Sequence, residues 1–321
     1  MAGKLPKVVV IAGSYVDLAV RCNQVIMAGT KVNGSELEYG LTGPGPNEAV
    51  QAANCGCDVQ LISKVGGDPF GDMVKTKLQE MQVKTDYVFT AEPRNTGTII
   101  TIVDGEGDNT SIHHAGANSA LLPSEIQQSE QIISDADVCL IHGKLPLEAI
   151  KKAICCAAAS GTKLILNPVR PLTNGTQKKD LPAEYFNADI LIPNLYEAAD
   201  ITERSDANLR TAKMIGSDLV ARGARNAVIT MGKRGCMIVN REKAEHIPAF
   251  EIELVDQTCS GDAFAGALAA YFAVGDDIIE AVKFASAAGA LACTKFGAID
   301  SLPNKSEIIQ LLQKEDTDFL M

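Results

Sequence analysis

Short apolar runs rich in β-branched residues alternate along this chain with segments of helical periodicity. Continuous apolar runs of this kind are typical of parallel strands that are buried on both faces. The helical periodicity is clearest in residues 209–221, where apolar and small residues recur on one face. The alternation predicts an α/β fold, a three-layer α/β/α core with a mostly parallel sheet. The expected strands are residues 7–12, 59–65, 97–103, 138–142, 163–167, 190–193, 227–231 and 236–239.

Two stretches interrupt the alternation. Residues 15–41 contain strand-like pieces without a convincing helix, and residues 95–114 have the pattern of a hairpin, with a turn signal at Asp104 and Gly105. Two β segments inserted into an α/β chain are expected to form one small sheet. The expected organisation is a discontinuous β lid, residues 14–42 and 95–115, over a core of residues 1–13, 43–94 and 116–321.

Charge and composition exclude several classes of protein. A formal net charge of −11 lacks the positive footprint of a nucleic-acid-binding protein and disfavours anionic membrane surfaces. The longest apolar run, residues 263–274, is shorter than the roughly 20 residues of a membrane-spanning helix, so it predicts a buried core helix. Nine cysteines without a CxxC pair, and no signal-peptide pattern, favour reduced thiols in a cytoplasmic protein. Disulfides or a zinc site are the less favoured alternatives.

Residues 255–266 carry the most chemical information. Cys259, Ser260 and Gly261 form a polar turn that leads into an apolar helix starting near Asp262. The first turn of a helix has unpaired N–H groups and a partial positive charge, which together suit an anion. Asp262 could cap this helix, the commoner role for an isolated Ser-Gly-Asp. It could also be the general base that phosphoryl transfer to an alcohol requires beside such an anion hole.

This segment resembles the C-terminal signature D-T-x-G-A-G-D of the ribokinase (PfkB-type) carbohydrate kinases. Other stretches resemble family motifs in the right order: residues 43–74 the N-terminal signature, residues 96–118 the ribokinase branch, and residues 230–235 the nucleotide-binding turn. Asn194 and Glu197 match the motif N-x-x-E. The resemblance covers essentially the whole chain. The C-terminal signature is matched at Asp256, Gly261 and Asp262, and it is changed at Gln257, Cys259 and Ser260.

The resemblance implies a ribokinase-like fold and an ATP-dependent sugar kinase that phosphorylates a primary hydroxyl. Asp262 would be the catalytic base, and the backbone of residues 259–262, including Cys259, Ser260 and Gly261, would form the anion hole. Glu197 would organise the water shell of Mg²⁺. The residues implied at the nucleotide are Asn194, Thr230, Gly232, Lys233, Gly235 and Ser286, the last near the adenine. No Walker A sequence occurs in the chain, so a P-loop is excluded.

Ribokinases also carry a monovalent-cation site behind the anion hole, and the resemblance implies K⁺ there. A carboxylate together with backbone carbonyls would hold the cation. Asp256 could equally be a turn residue without a ligand role. The positions that match the cation site are Asp256, Thr258, Ala292, Lys295, Gly297 and Ser301.

The sugar pocket departs from the ribokinase pattern. Asp17 and Asn47 match sugar-binding positions, and a carboxylate can accept two hydroxyl donors. Lys144 stands where ribokinases have Glu, which reverses the charge. It either contacts a phosphate or carboxylate on a larger substrate or is an exposed lysine without a substrate role. Three further candidate sugar contacts are Tyr15, Gly43 and Gly45. Tyr15 stands in place of an Asn, and Pro44, between the two glycines, stands in place of a Lys. Thr42 replaces the first signature glycine, and His142, also a candidate, ends a predicted strand.

These observations favour a ribokinase that converts D-ribose to D-ribose 5-phosphate. A nucleoside kinase or another sugar kinase on the same fold is the alternative, because the sugar pocket has changed. A non-catalytic sensor would not need Asp262 or the N-x-x-E motif. A nicotinamide-dependent dehydrogenase would need a GxGxxG after the first strand, where the chain has AGSYVD. Lids of this family often pair between subunits, so we expect a homodimer through the lid.

Overall fold

The computed structural model describes residues 4–23, 27, 29–104, 109–169, 172 and 181–318. Its strands are β1 (Lys7–Ile11), β2 (Tyr15–Cys22), β3 (Gly34–Thr42), β4 (Asp58–Gly66), β5 (Val83–Ala91), β6 (Gly97–Val103), β7 (Asn109–His114), β8 (Val138–His142), β9 (Lys163–Asn167), β10 (Ile190–Leu191), β11 (Asn226–Thr230), β12 (Cys236–Asn240) and β13 (Ala244–Ile247). Its α-helices are α1 (Pro44–Asn54), α2 (Pro69–Glu80), α3 (Pro123–Gln128), α4 (Glu130–Ser134), α5 (Leu147–Ser160), α6 (Leu195–Ile201), α7 (Leu209–Arg222), α8 (Ser260–Phe272), α9 (Ile278–Ala292) and α10 (Lys305–Asp318).

The large sheet has nine strands in the order β13-β12-β11-β10-β9-β8-β1-β4-β5. Every neighbouring pair from β11 to β5 is parallel, whereas the pairs β11–β12 and β12–β13 are antiparallel. Parallel strands end at the same edge, so the loops that follow β1, β8, β9 and β10 gather on one side of the molecule. The mostly parallel sheet predicted from the sequence is therefore confirmed.

Helices cover both faces of this sheet. Along β1, Val8 and Val10 belong to one apolar cluster with α1, α8 and α9, whereas Val9 and Ile11 belong to a second cluster with α5 and α7. Successive residues of a strand point to opposite faces, which explains why a continuous apolar run is needed here. The three-layer prediction is confirmed. The five residues of the predicted α7 face are all buried: Ala212, Ile215, Gly216, Leu219 and Val220.

The eight predicted strands are confirmed to within two residues at each end. Two strands of the large sheet, β5 and β13, are absent from the prediction. Both lie at edges of the sheet, and in β5 buried positions alternate with exposed Lys84 and Asp86. An edge strand that is half exposed does not produce a continuous apolar run, and this is why the pattern used for buried strands missed it.

The two segments that interrupt the alternation form one separate four-stranded sheet, in the order β3-β2-β6-β7. The strands β2 and β6 are parallel and join the segments, and β6 pairs with β7 as the predicted hairpin. The prediction of one small sheet is confirmed. The turn predicted at Asp104 and Gly105 falls partly on residues 105–108, which lie outside the described residues.

The apolar run at residues 263–274 belongs to α8, which is buried over most of its length and packs against α1 and α9. Helices α1 and α8 meet closely at Gly266. A methyl group there would overlap the backbone oxygen of Glu48 and lie 2.7 Å from Cβ of Gln51. Among the described residues, no helix is long and apolar enough to cross a membrane.

The close approach at Gly266 leads to a stability prediction. We expect Gly266→Ala to lower the free energy of unfolding by about 1–3 kcal/mol, because the added methyl group must push α1 away from α8. Denaturant-induced unfolding measures the change. Gly275→Ala is the matched control, since its added carbon would make only ordinary contacts with Tyr271. Equal stability of the two variants would show that the helix contact is looser than described.

Candidate active site

The loop before α8 sets the direction of that helix. Cys259 precedes the first helical residue, Ser260, and has a left-handed backbone with φ of 54°. Glycine adopts this conformation at little cost, whereas a residue with Cβ loses roughly 1–2 kcal/mol. The Cys259 thiol donates to the carbonyl of Ala298 at 3.1 Å and lies 3.3 Å from Oγ of Ser301. These contacts help to hold the strained turn that directs the first N–H groups of α8.

Asp262 is the third residue of α8 and lies in its first turn. It makes no capping bond; instead Nδ2 of Asn47 donates to its Oδ2 at 2.7 Å. The alternative that Asp262 caps the helix is therefore wrong, because Cys259 occupies the capping position. Burial raises the pKa of Asp262 to about 6, while the hydrogen bond from Asn47 opposes that increase. Asp262 is thus a carboxylate with a pKa close to neutral pH, which suits a general base.

Asn47 reaches Asp262 because α1 begins unusually close to the first strand. Gly43 precedes α1 with φ of 100°, and a Cβ at this position would lie 2.6 Å from the ring of Tyr15. Gly45 donates its N–H to the carbonyl of Gly13 at 3.0 Å. These two glycines allow the helix to lie directly against the β1–β2 junction. The structure therefore brings Tyr15, Gly43, Gly45 and Asn47 to one wall that ends at Asp262.

Glu48 is a buried carboxyl group that the sequence analysis did not identify. It is completely buried between α1 and α8, and neither carboxyl oxygen has a hydrogen-bond partner. Burial, with a contribution from the charge of Asp262, raises its pKa well above the usual range. The catalytic candidate Asp262 thus has as its neighbour a buried carboxyl group whose charged form is disfavoured. The sequence signal for it was a single acidic residue, beside Asn47, in a helix without any other charged residue.

The opposite wall of the cleft combines the small sheet with the end of β8. Asp17 accepts a hydrogen bond from the Thr101 hydroxyl at 2.9 Å. His142 ends β8, is buried, and accepts the backbone N–H of Lys144 on Nδ1 at 3.2 Å. His113, in register with Ile99 and thereby with Asp17, lies near enough to Asp17 and Lys144 for both charges to act on it. The predicted sugar contacts Asp17, His142 and Lys144 therefore lie together.

Asn194 and Glu197, the two residues of the N-x-x-E motif, form a capping box at the start of α6. Asn194 Oδ1 accepts the N–H of Glu197 at 2.9 Å, and Glu197 Oε2 accepts the N–H of Asn194 at 2.8 Å. This reciprocal capping leaves the side-chain NH₂ of Asn194 without a role in the cap. Burial raises the pKa of Glu197, and its bond to Asn194 lowers it. A backbone bridge between Asn194 and Thr230 places both beside the turn that follows β11.

The turn of residues 230–235 is open on its outer side. Gly232 and Gly235 have φ of 57° and 77°, and no atom lies within 4 Å of a Cβ at Gly232. Lys233 is exposed between them. Ser286, on α9, lies with Oγ 3.6 Å from Sγ of Cys236, the residue that follows the turn. The six residues implied at the nucleotide are therefore gathered around the ends of β10 and β11 and the middle of α9.

Asp256 connects the two loops implied in the cation site. Its Oδ1 accepts the N–H and the hydroxyl of Thr258, at 2.9 and 2.7 Å, and its Oδ2 accepts the N–H of Gly297 at 3.1 Å. Burial would raise the pKa of Asp256, but these hydrogen bonds lower it below its usual value. Asp256 is thus a turn residue and also a bridge between the loops. A carboxylate among backbone carbonyls has the chemistry that a monovalent cation needs.

The remaining candidates for the cation site differ in burial and in the direction of their side chains. Ser301 is buried beside Cys259, and Ala292 is buried near the end of α9. The Lys295 ammonium points away to Glu307, at 3.1 Å, so only its backbone carbonyl could serve a cation. Within the described ranges, no group of three or more His, Cys, Asp or Glu side chains could hold a metal ion.

Comparisons with known proteins agree with this geometry. A family model described as pfkB family carbohydrate kinase matches residues 5–305. A ribokinase from Mus musculus is 30% identical over 306 residues, which cover 94% of this chain and 93% of the relative. A deoxyribokinase from Salmonella typhi is 28% identical over 306 residues, covering 95% of this chain and 98% of the relative.

The fold is also found among solved structures. The structure of Arabidopsis thaliana ribokinase complexed with ribose and ATP superposes with a TM-score of 0.88 at 23% sequence identity. The alignment covers 97% of this chain and 99% of that one. Because the identity is low, this likeness concerns the fold. It agrees with the combination of a large, mostly parallel sheet and a small four-stranded sheet.

The opposite pKa shifts of Asp262 and Asp256 lead to a pH prediction. Because the pKa of Asp262 is raised from 3.8 to about 6, its carboxyl group binds more protons in the folded protein than in the unfolded one. The free energy of unfolding therefore decreases as pH rises from about 4 to 6. We expect Asp262→Asn to raise the free energy of unfolding at pH 8, on the order of 2–3 kcal/mol, and to have little effect at pH 4.

Asp256→Asn is the matched comparison, because a lowered pKa stabilises the fold above the unfolded-state pKa and this contribution is lost as pH falls. It should destabilise the protein at pH 8 and less so at low pH. Urea unfolding at several pH values measures both effects. Destabilisation at pH 8 by Asp262→Asn would contradict the buried, unfavourable environment described for Asp262.

Proposed function

The chain belongs to the pfkB family of carbohydrate kinases, and we propose that it transfers the γ-phosphoryl group of ATP to the primary hydroxyl of a pentose-like sugar, with D-ribose to D-ribose 5-phosphate as the reference reaction. It is an ATP-dependent sugar kinase. The observation that carries the proposal is the half-buried carboxylate of Asp262, held by Asn47 in the first turn of α8. This arrangement combines a base with an anion-binding helix end.

In the proposed reaction, Asp262 accepts the proton of the sugar hydroxyl while the hydroxyl oxygen attacks the γ-phosphorus. The bond between that phosphorus and the bridging oxygen breaks, and ADP leaves with the bonding electrons. The N–H groups at the start of α8, in residues 259–262, stabilise the charge on the transferring group. With a pKa of about 6, Asp262 is mostly ionised at pH 7 to 8 and ready to accept the proton.

The nucleotide would lie over the ends of β10 and β11. In this proposal the side-chain NH₂ of Asn194 approaches the phosphates, Thr230 and the open turn at Gly232 border the nucleotide, and Ser286 lies near the adenine. Glu197 would bind water molecules of the Mg²⁺ ion. Bound with ATP, Mg²⁺ neutralises phosphate charge, and it retains several waters that a carboxylate can bind.

We also propose a K⁺ site between the two loops that Asp256 joins. The Asp256 carboxylate and carbonyls of residues 256–258 and 292–301 would hold the ion. Occupancy would stabilise the loop that carries Cys259, because the thiol of Cys259 donates to the carbonyl of Ala298 in the second loop. The ion would thus act on the anion hole through its supporting loop.

The sugar would bind between the wall at Tyr15 and Asn47 and the small sheet that carries Asp17. Asp17 accepts one hydroxyl, from Thr101, and retains acceptor capacity for sugar hydroxyls. The mouse relative supports ribose, whereas the Salmonella relative favours 2-deoxyribose as a second candidate substrate. Changes at Thr42, Pro44 and Lys144 relative to the ribokinase pattern keep nucleosides as the alternative.

We propose that residues 14–42 and 95–115 act as a lid that closes over the sugar and excludes water. The face of this small sheet opposite Asp17 is apolar and exposed. Leu37, Tyr39, Ile100 and Ile112 on that face are between 38% and 63% exposed. Contiguous apolar surface of this kind is typical of an interaction site. A second copy of the chain would cover it, which gives a homodimer through the lid.

We place the enzyme in the cytoplasm. None of the nine cysteines, all of which lie in the described ranges, forms a disulfide, and most of them are buried. Free thiols are typical of proteins in a reducing compartment, where ATP and phosphorylated sugars are also used.

Asp262→Asn tests the catalytic proposal. We expect kcat to fall by about 10²–10⁴, because the amide cannot accept the hydroxyl proton. ATP affinity, measured by calorimetry, should change little. The assay uses D-ribose, 2-deoxyribose, D-fructose, adenosine, inosine and pseudouridine as acceptors. Unchanged kcat in the variant would reject Asp262 as the base, and activity on nucleosides alone would replace the pentose by a nucleoside as substrate.

The exposed apolar face predicts a concentration-dependent dimer. Sedimentation velocity should show a dimer for the native chain and a monomer for Ile112→Lys, because a charge on the covered face would be desolvated. Met214→Lys is the control, as Met214 is an exposed apolar residue on α7, away from the small sheet. A native monomer at all concentrations, or a dimer that Ile112→Lys leaves intact, would contradict pairing through the lid.

A further inference from the structure

Lys144 lies inside the cleft, not on the outer surface. It follows β8 directly, is half-buried, and its Nζ lies 5.9 Å from the centroid of the Tyr15 ring. Its backbone N–H is fixed by Nδ1 of His142. Lys144 is therefore not the exposed lysine that the alternative expected, since its ammonium lies over the Tyr15 ring, on a wall of the proposed sugar site.

The charge of Lys144 has no counter-charge in the described parts of the chain. No carboxylate there lies within ion-pairing distance of its Nζ. Lys64 shows how this fold otherwise treats a buried ammonium: it is 5% exposed, and its Nζ lies 2.6 Å from Glu125 and donates to the Ala120 carbonyl. Burying an ammonium without such partners is costly. Lys144 thus has an unmet requirement for an anion.

The groups around Lys144 do not supply that anion. Burial, followed by the charge of Lys144, lowers the pKa of His142 to about 3 and lowers that of His113 as well, so both imidazoles are neutral at pH 7. Burial lowers the pKa of Lys144 itself. Asp17 is the acidic group on this side, and it is turned to the hydroxyl of Thr101. The Tyr15 ring and the two imidazoles on which the charge of Lys144 acts are therefore uncharged.

One further polar atom nearby lacks a partner. Oδ1 of Asn167 is buried and has no hydrogen-bond partner among the described residues. Asn167 ends β9 in register with His142. Buried polar groups in proteins are normally satisfied, so this atom points to a polar ligand that completes the site. It lies beside an ammonium that also has no partner in the described parts of the chain, and together the two groups form a candidate subsite.

This subsite is separate from the catalytic end of the cleft. Lys144 shifts the pKa values of both histidines, whereas the pKa of Asp262 is set by burial and by Asn47. Tyr15 contacts Gly43, one turn of α1 before Asn47, which corresponds to roughly 6 Å along the helix axis. The ammonium therefore faces the part of a bound sugar that is remote from the hydroxyl under attack.

We propose that the preferred substrate is a pentose carrying an anionic group, a carboxylate or a phosphate, at the end remote from its primary hydroxyl, and that Lys144 binds this group. The inference rests on the proposed kinase activity and specifies its substrate class. Neutral D-ribose is then a poorer acceptor that leaves the ammonium unpaired. Charge-assisted hydrogen bonds to a buried ammonium discriminate strongly against such a substrate.

The test compares D-ribose with D-ribonate and with D-ribose 1-phosphate, which carry a carboxylate and a phosphate respectively and keep the primary hydroxyl. For the native enzyme, kcat/KM for one anionic acceptor should exceed that for ribose by about 10–100-fold, as expected for hydrogen bonds to a charged group. The acceptor that gains identifies the anion. Lys144→Gln should reduce this ratio by a similar factor, mainly through KM, and Lys144→Glu should invert it. Lys151→Gln, an exposed lysine on α5, is the control that leaves the ratio unchanged.

Equal kcat/KM for ribose and both anionic acceptors, or a ratio that Lys144→Gln leaves unchanged, would overturn the inference while the kinase assignment stands. If no sugar is phosphorylated, the proposed function fails, and binding decides the inference separately. Thermal shift with ribonate and with ribose 1-phosphate should then stabilise the native chain more than ribose does, and Lys144→Gln should abolish the difference. The absence of any difference would reject the anion subsite.

Discussion

The hydrogen bond from Asn47 to Asp262 connects two helices whose partner residues are 215 positions apart. Its geometry depends on how both helices begin: α1 through the close approach of Gly43 and Gly45 to the first strands, and α8 through the left-handed turn at Cys259. The packing of α1 on α8 also removes the Asp262 carboxylate from water, and this burial raises its pKa although the hydrogen bond from Asn47 opposes the increase. Position and acidity of the base therefore have one physical origin, the packing of α1 on α8.

The proposed active-site cleft contains positive charge, although the net charge of the chain is negative. A chain with a formal net charge of −11 must bind a nucleotide that is also anionic. Exposed charges act over about 8 Å at physiological ionic strength, so the sum over the surface has little influence inside a cleft. The groups that attract an anion there are the N–H groups at the start of α8 and the ammonium of Lys144, which has no partner among the described residues. The backbone fixes the first set at the start of a helix and the second group just after the end of a parallel strand.

The sequence predicts the fold well where a strand is buried on both faces, because hydrophobicity is then continuous and each run has one interpretation. It fails at β5, where Lys84 and Asp86 face solvent along an edge. Motifs indicated Asp262, Asn194 and Glu197, and the structure assembles them around one edge of the sheet. Burial of Glu48 could not be predicted, since it depends on α8, which lies far along the chain. The same holds for Lys144, whose lack of a partner is visible only when its surroundings are assembled.

The topology of the small sheet determines the order in which the molecule can be completed. The strands β2 and β3 are neighbours in sequence and can pair as soon as both have left the ribosome. In contrast, β6 must pair in parallel with β2 across the intervening β4, α2 and β5, and such non-local pairing forms slowly. The nascent chain therefore carries an unfinished sheet edge, with apolar residues beside it, until the first part of the core has folded. An unpaired sheet edge with apolar residues beside it is a template for pairing with another chain, so we expect aggregation to compete with folding at this stage.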